Sequence, residues 1–122
     1  MGEIQSYRDL DVWREEVTLV KRVYAVTREL PEDERFGLTS QLRRAMVSVP
    51  ANIAEGWAGG GRKVYLRHLH IARGSLAEVE TLLIVCVELG YVLQERLNEL
   101  FDALARLGRR LNRLQASLNL TP

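Results

Sequence analysis

Residues 97–118 read LNELFDALARLGRRLNRLQASL, and leucine recurs in this stretch with a strict seven-residue repeat. The repeated positions are Leu97, Leu100, Leu104, Leu107, Leu111, Leu114 and Leu118. Leucines three and four residues apart share one face of an α-helix, and a sustained repeat is typical of helices that pack at a shallow angle. The stretch therefore predicts an amphipathic helix over residues 94–117 that packs in a helix bundle.

Three earlier stretches repeat apolar residues with the same helical period, and none alternates with the two-residue period of a strand. They predict helices over residues 8–30, 39–56 and 62–89. Pro31 ends the first helix, the glycines at 59–61 separate the second from the third, and Gly90 ends the third. The sequence thus predicts an all-α, up-down-up-down four-helix bundle that forms a single domain over residues 1–122.

The first helix has an apolar face wider than one neighbouring helix covers. One row comprises Leu10, Trp13, Val17, Val20, Tyr24 and Thr27, and a second comprises Val12, Leu19, Val23, Val26 and Leu30. Because one bundle core does not cover both rows, the sequence predicts that the chain assembles as a homo-oligomer.

Local signals place the helix starts and one distortion. Ser6 or Asp9 is expected to cap the first helix, and Thr39 or Ser40 the second, because short polar side chains accept hydrogen bonds from the first free N–H groups. Pro50 lies inside the second helix and lacks an N–H group, so a bend is expected there.

Composition indicates an ordinary globular protein: 47% of residues are hydrophobic, 27% are charged, and the formal net charge is +1. Cys86 is the single cysteine and lies in an apolar run, which predicts a buried thiol and no internal disulfide. No apolar run approaches the ~20 residues that cross a bilayer, and no secretory signal opens the chain. We therefore expect a cytoplasmic protein without a membrane partner.

A row of polar side chains follows the second helix beside its apolar stripe and meets one acidic residue of the third. Its members are Gln41, Arg44, Ser48, Asn52, Glu55 and Glu78. Gly74, beside Ser75 within the third helix, predicts close backbone approach or bending. The row is either a ligand or catalytic site, or a structural network that fixes helix register or rims a subunit contact. The lack of a general base beside a nucleophile favours the structural interpretation.

Motifs for catalysis, metals and cofactors are missing from the sequence. No Glu-x-x-His pair occurs, and His68 and His70 fall on different sides of their helix, where we expect exposed or loosely packed rings. The glycine-rich loop at 56–61 lacks the Gly-Lys-Ser/Thr of a phosphate-binding loop. The sequence therefore predicts no enzyme activity, no metal and no cofactor.

Positive charge is concentrated in two segments, because no acidic residue occurs between Glu55 and Glu78 or after Asp102. The candidate nucleic-acid-binding residues are Arg62, Lys63, Arg67, Arg73, Arg106, Arg109, Arg110 and Arg113. Guanidinium groups suit phosphates and carboxylates alike. Two interpretations stay open: a nucleic-acid-binding surface, and a solvated face that forms ion pairs with its neighbours.

Three motifs resemble one protein family: FGLTSQLRRA at 36–45, SVPANIAEG at 48–56 and IARGSLAE at 71–78. With LDVW at 10–13 and LGY at 89–91, they are similar to the bacterial four helix bundle proteins, also called 23S ribosomal RNA intervening-sequence proteins. The resemblance covers about residues 7–115, and the fourth helix carries only a leucine pattern.

The resemblance implies a bundle fold and an assembly. Members of the family are similar to the accessory variability protein of diversity-generating retroelements, which forms a homopentameric ring and binds nucleic acid and a reverse transcriptase. This chain would then be a ring-shaped pentamer whose basic surface contacts RNA, DNA or a ribonucleoprotein. The alternative is a protein–protein adaptor without a nucleic-acid role, in which the polar row and the arginines meet an acidic partner.

Overall fold

Four α-helices make up most of residues 3–119, which are the residues that this computed structural model describes. They are α1 (Asp11–Thr27), α2 (Leu38–Ala58), α3 (Arg62–Glu88) and α4 (Gln94–Asn119). Short 3-10 turns at Tyr7–Asp9 and Glu32–Glu34 precede α1 and α2, and residues 3–119 contain no strand. Residues 1–2 and 120–122 of the predicted domain lie outside the described part.

Each helix packs against the next in the chain, and α4 closes the bundle against α1. The helices alternate in direction: Arg43 near the start of α2 donates to Thr27 at the end of α1 (Nε to Oγ1, 2.9 Å). Arg96 near the start of α4 pairs with Glu29, just beyond α1 (2.6 Å). These contacts confirm the predicted all-α four-helix bundle.

The predicted leucine seam of α4 forms one wall of the core. Its first five leucines, from Leu97 to Leu111, are at most 3% exposed, whereas Leu114 and Leu118 are only half-buried. Inside α1, Leu19, Val23 and Val26 of the second predicted row are buried, and Val12 is half-buried. The first row remains half-buried at Trp13, Val17, Val20 and Tyr24. The apolar face of α1 is therefore only partly covered by its own chain.

The start of α1 differs from the prediction. Ser6 caps the 3-10 turn, because its Oγ accepts from the N–H of Arg8 (3.1 Å) and Asp9 accepts from the N–H of Ser6 (3.2 Å). The α-helix begins only at Asp11 and ends at Thr27, inside the predicted span of 8–30.

The start of α2 also differs, because neither Thr39 nor Ser40 caps it. The helix begins at Leu38, and its first N–H donates to Oε1 of Glu34 in the preceding turn (3.2 Å). A carboxylate from the connection therefore replaces the expected hydroxyl cap. Pro50 lies buried within the helix.

Two glycines inside helices have different surroundings. A Cβ built on Gly56 would lie 2.9 Å from Cβ of His68, so this glycine lets α2 and α3 approach closely. Gly56 does not end the helix, and α2 continues past the predicted end at 56 to Ala58. Gly74 is exposed with no described atom within 4 Å of a built Cβ, so the expected close approach does not occur among residues 3–119.

None of the helices in residues 3–119 combines the length and the apolar character that crossing a membrane requires.

Candidate nucleic-acid interface

The outward face of α4 presents three arginines. Arg106, Arg109 and Arg113 follow one another at spacings of three and four, so they share one side of the helix, and all three are exposed. None of them has a carboxylate or hydrogen-bond partner among residues 3–119. Their charges are therefore available to a ligand.

Two other arginines of the predicted set are engaged within the bundle. Arg110 forms a part-buried ion pair with Glu15 of α1, and Arg73 donates to the side-chain oxygen of Gln115 on α4. Both guanidinium groups thereby connect neighbouring helices. They are less available to phosphate than the three outward arginines.

A second exposed basic group lies at the start of α3. Arg62, Lys63 and Arg67 are all exposed, and the helix follows two glycines with positive φ, Gly60 at 75° and Gly61 at 108°. The Arg73–Gln115 contact places the middle of α3 beside the end of α4. The start of α3 therefore lies beyond the arginine row, and Arg106 is at the middle of α4. Both basic groups lie in the half of the bundle away from the α3–α4 connection, and we call this half the basic end.

The structure brings the middle of the predicted polar row together along the contact between α2 and α3, which we call the polar seam. Asn52 donates to the backbone oxygen of Ser48 (2.8 Å) and to its Oγ (3.0 Å). The Ser48 hydroxyl lies 2.9 Å from that of Ser75. His68 Nδ1 lies 2.9 Å from Asn52 Oδ1 and 3.5 Å from a carboxylate oxygen of Glu55.

Two of these residues were not expected in the network. His68 was predicted to be exposed or loosely packed like His70, but its side chain is mostly buried and bonded to Asn52. Ser75 was noted only as the neighbour of Gly74. Its spacing of seven from His68 signals a shared helix face, which could have identified both residues.

The remaining members of the row lie further along the same groove. Gln41, Arg44 and Glu78 line a shallow depression of about 290 Å³ next to Ser48 and Ser75. The Ser48 hydroxyl contacts another hydroxyl and an amide rather than an imidazole, so the seam contains no activated nucleophile. Within residues 3–119, no group of three histidine, cysteine or carboxylate side chains is placed to hold a metal ion.

The least expected side chain is Glu16 of α1, which is fully buried in the core. Both of its carboxyl oxygens lack a hydrogen-bond partner among residues 3–119. Burial, and to a lesser degree the neighbouring Glu15, raise the pKa of Glu16 to about 8, while the charge of Arg110 acts in the opposite direction. Glu16 is therefore largely a neutral acid near neutral pH.

Comparison with known proteins connects this fold to one family. A search of curated proteins gives no match. A family model described as 23S rRNA-intervening sequence protein matches residues 8–113, which include all of α1 to α3 and most of α4. The chain therefore belongs to the 23S rRNA-intervening sequence protein family.

Proposed function

We propose that this chain is a non-enzymatic, cytoplasmic helical protein that assembles as a ring-shaped homo-oligomer and binds RNA, DNA or a ribonucleoprotein through its basic end. The observation that carries the proposal is the exposed row of Arg106, Arg109 and Arg113, which has no partner among the described residues. The family description names an rRNA-associated sequence and no catalytic activity, which agrees with this class of function.

The geometry of the row favours contacts with a phosphate backbone. Seven residues of helix separate Arg106 from Arg113, which corresponds to about 10 Å along the axis. Guanidinium groups bind phosphate oxygens in bidentate fashion. The exposed residues of α4 include no aromatic side chain on which single-stranded bases could stack, because Phe101 packs against the core. We therefore expect a preference for structured nucleic acid.

Replacing the three arginines together tests the surface. The variant Arg106→Gln/Arg109→Gln/Arg113→Gln should bind a structured RNA hairpin more weakly. The plot of log affinity against log salt should also become less steep, by about 2 to 3 in slope, because three phosphate contacts are lost. Fluorescence anisotropy over a salt series measures both quantities.

A matched control removes the same charge elsewhere. Arg14, Arg35 and Arg96 each pair with a carboxylate, so their triple replacement by glutamine should leave the salt slope nearly unchanged. Equal losses in the two triple variants, or no binding by the wild type at low salt, would rule out the arginine row as the interface.

The half-buried row of α1 supports the homo-oligomer. Tyr24 and Val47 line a shallow, mainly apolar hollow between α1 and α2, and Val47 is 42% exposed. A second copy packed here would remove this apolar surface from water. Five subunits is the number that the likeness to the retroelement accessory protein implies.

Light scattering tests the assembly. We expect a mass several times the 13.9 kDa of one chain, and we expect Val47→Asp to lower it while the helix content is retained. Ile84→Asp places a charge on α3 at a similarly exposed position and should leave the mass unchanged. A wild-type protein that stays a single chain at micromolar concentration would contradict the homo-oligomer.

The same arginines would serve the alternative, an adaptor that binds an acidic protein. Pull-down from a nuclease-treated lysate separates the two functions, because an adaptor keeps its partner after the nucleic acid has been digested.

A further inference from the structure

The end of the bundle opposite the basic end exposes large apolar side chains. Phe36 is 85% exposed and Leu93 75% exposed, the two highest values among large apolar residues in the described part of the chain, and Leu89 is 55% exposed. They lie in or beside the α1–α2 and α3–α4 connections. Because α3 runs the length of the bundle, this end lies about 40 Å from the start of α3.

Hydrogen bonds hold the two connections together. Tyr91 in the α3–α4 connection donates its hydroxyl to Glu34 in the α1–α2 connection (2.9 Å). The other oxygen of Glu34 accepts the first N–H of α2. Phe36 is two residues from Glu34, and Leu89 and Leu93 are each two residues from Tyr91. The apolar side chains therefore stand on a preformed surface, and ordering it adds little entropic cost to binding.

Acidic residues outnumber arginines in the two connections and the helix ends next to them. Residues 28–37 and 88–99 together contain seven acidic residues and three arginines. Arg35 and Arg96 are paired with Glu32 and Glu29. The acidic residues without a cationic partner in residues 3–119 include Asp33, Glu88, Glu95 and Glu99. We call the three apolar side chains with these acids the acidic tip.

We propose that the acidic tip docks a segment of a partner protein that combines apolar side chains with lysine or arginine. The apolar residues supply anchors, and the excess of carboxylates in the two connections favours a basic partner by charge complementarity. The same charges disfavour nucleic acid and anionic membranes. They also disfavour a tip-to-tip contact between two copies, which would bring like charges together. The proposal is independent of nucleic-acid binding, because it uses the other end of the bundle.

A labelled amphipathic peptide of about 18 residues, with leucines on one helical face and lysines on the other, is a suitable probe. We expect the full-length protein to bind it, as measured by fluorescence anisotropy. Phe36→Ser/Leu93→Ser should lower the affinity by about ten-fold or more, because it removes both anchors. Both side chains are exposed, so the thermal unfolding of this variant should match that of the wild type.

Two controls make the result specific to the tip. Ile4→Ser/Ile71→Ser removes two exposed apolar residues elsewhere and should leave peptide affinity unchanged. A peptide with glutamate in place of lysine should not bind. Equal affinity of the tip variant and the control variant, or equal binding of the acidic peptide, would overturn the proposal. So would a loss of oligomer mass in the tip variant, because it would identify a second copy as the occupant.

Discussion

The protein should lose stability as the pH rises from about 5 to 8, and replacing Glu16 with glutamine should abolish most of that loss. The carboxyl is fully buried with no hydrogen-bond partner in the described part of the chain, and its pKa is raised from 4.5 to about 8. Between these two values the folded protein keeps the proton, whereas the unfolded chain has released it. Since the unfolded state binds fewer protons there, the free energy of unfolding falls with rising pH.

The expected loss is large for a domain of this size. At 1.36 kcal/mol per pH unit, the wild type should lose on the order of 3 kcal/mol over this interval. Above pH 8 both states are ionised at this position, and the dependence should level off. The glutamine variant has no proton to release at position 16. It should therefore be more stable than the wild type at pH 8 and similar to it at pH 5.

Urea unfolding at several pH values measures the effect, because the transition midpoint reports the stability. Glu99→Gln is the matched control: its side chain is exposed, so the steep pH dependence of the wild type should persist. Burial also raises the pKa of Glu80, so a smaller slope of the same sign should remain in the Glu16 variant. Equal slopes in the wild type and in Glu16→Gln would contradict the buried neutral acid.

The position of Glu16 coincides with a gap in an apolar row of the first helix, but the row alone does not show that the glutamate is buried. The second apolar row predicted for the first helix has Val12, Leu19, Val23, Val26 and Leu30, with an interval of seven between its first two members. Glu16 fills that gap, four residues after Val12 and three before Leu19. Burying an ionised carboxylate costs free energy, so a glutamate is not expected at a core position. A pattern of apolar residues therefore does not include Glu16. Only its burial in the folded chain shows that the position belongs to the core.

The fold was predictable from local sequence, whereas the candidate site was not. Periodic apolar residues place four helices and their connections, because burial of one face determines helix packing. Whether an arginine is free depends on residues far away in the chain: Arg110 meets Glu15 of α1, whereas Arg109 beside it meets no described partner. Successive side chains of a helix point in directions about 100° apart, so two arginines that are adjacent in the sequence can have different roles.

The leucine repeat of α4 leads to the second large effect, because it is uniform in sequence but not in burial. Leu107 is fully buried, whereas Leu118 is half-buried. Leu107→Ala should therefore lower the free energy of unfolding by about 3 kcal/mol or more through lost apolar burial and a cavity, whereas Leu118→Ala should cost about 1 kcal/mol or less.

Urea unfolding of both variants at one pH and protein concentration gives the comparison, and each variant is its partner's control, since the chemical change is identical. Equal losses would contradict the burial seen in the single chain. They would place the end of α4 under another subunit, because only added cover could make a half-buried leucine contribute as much as a fully buried one.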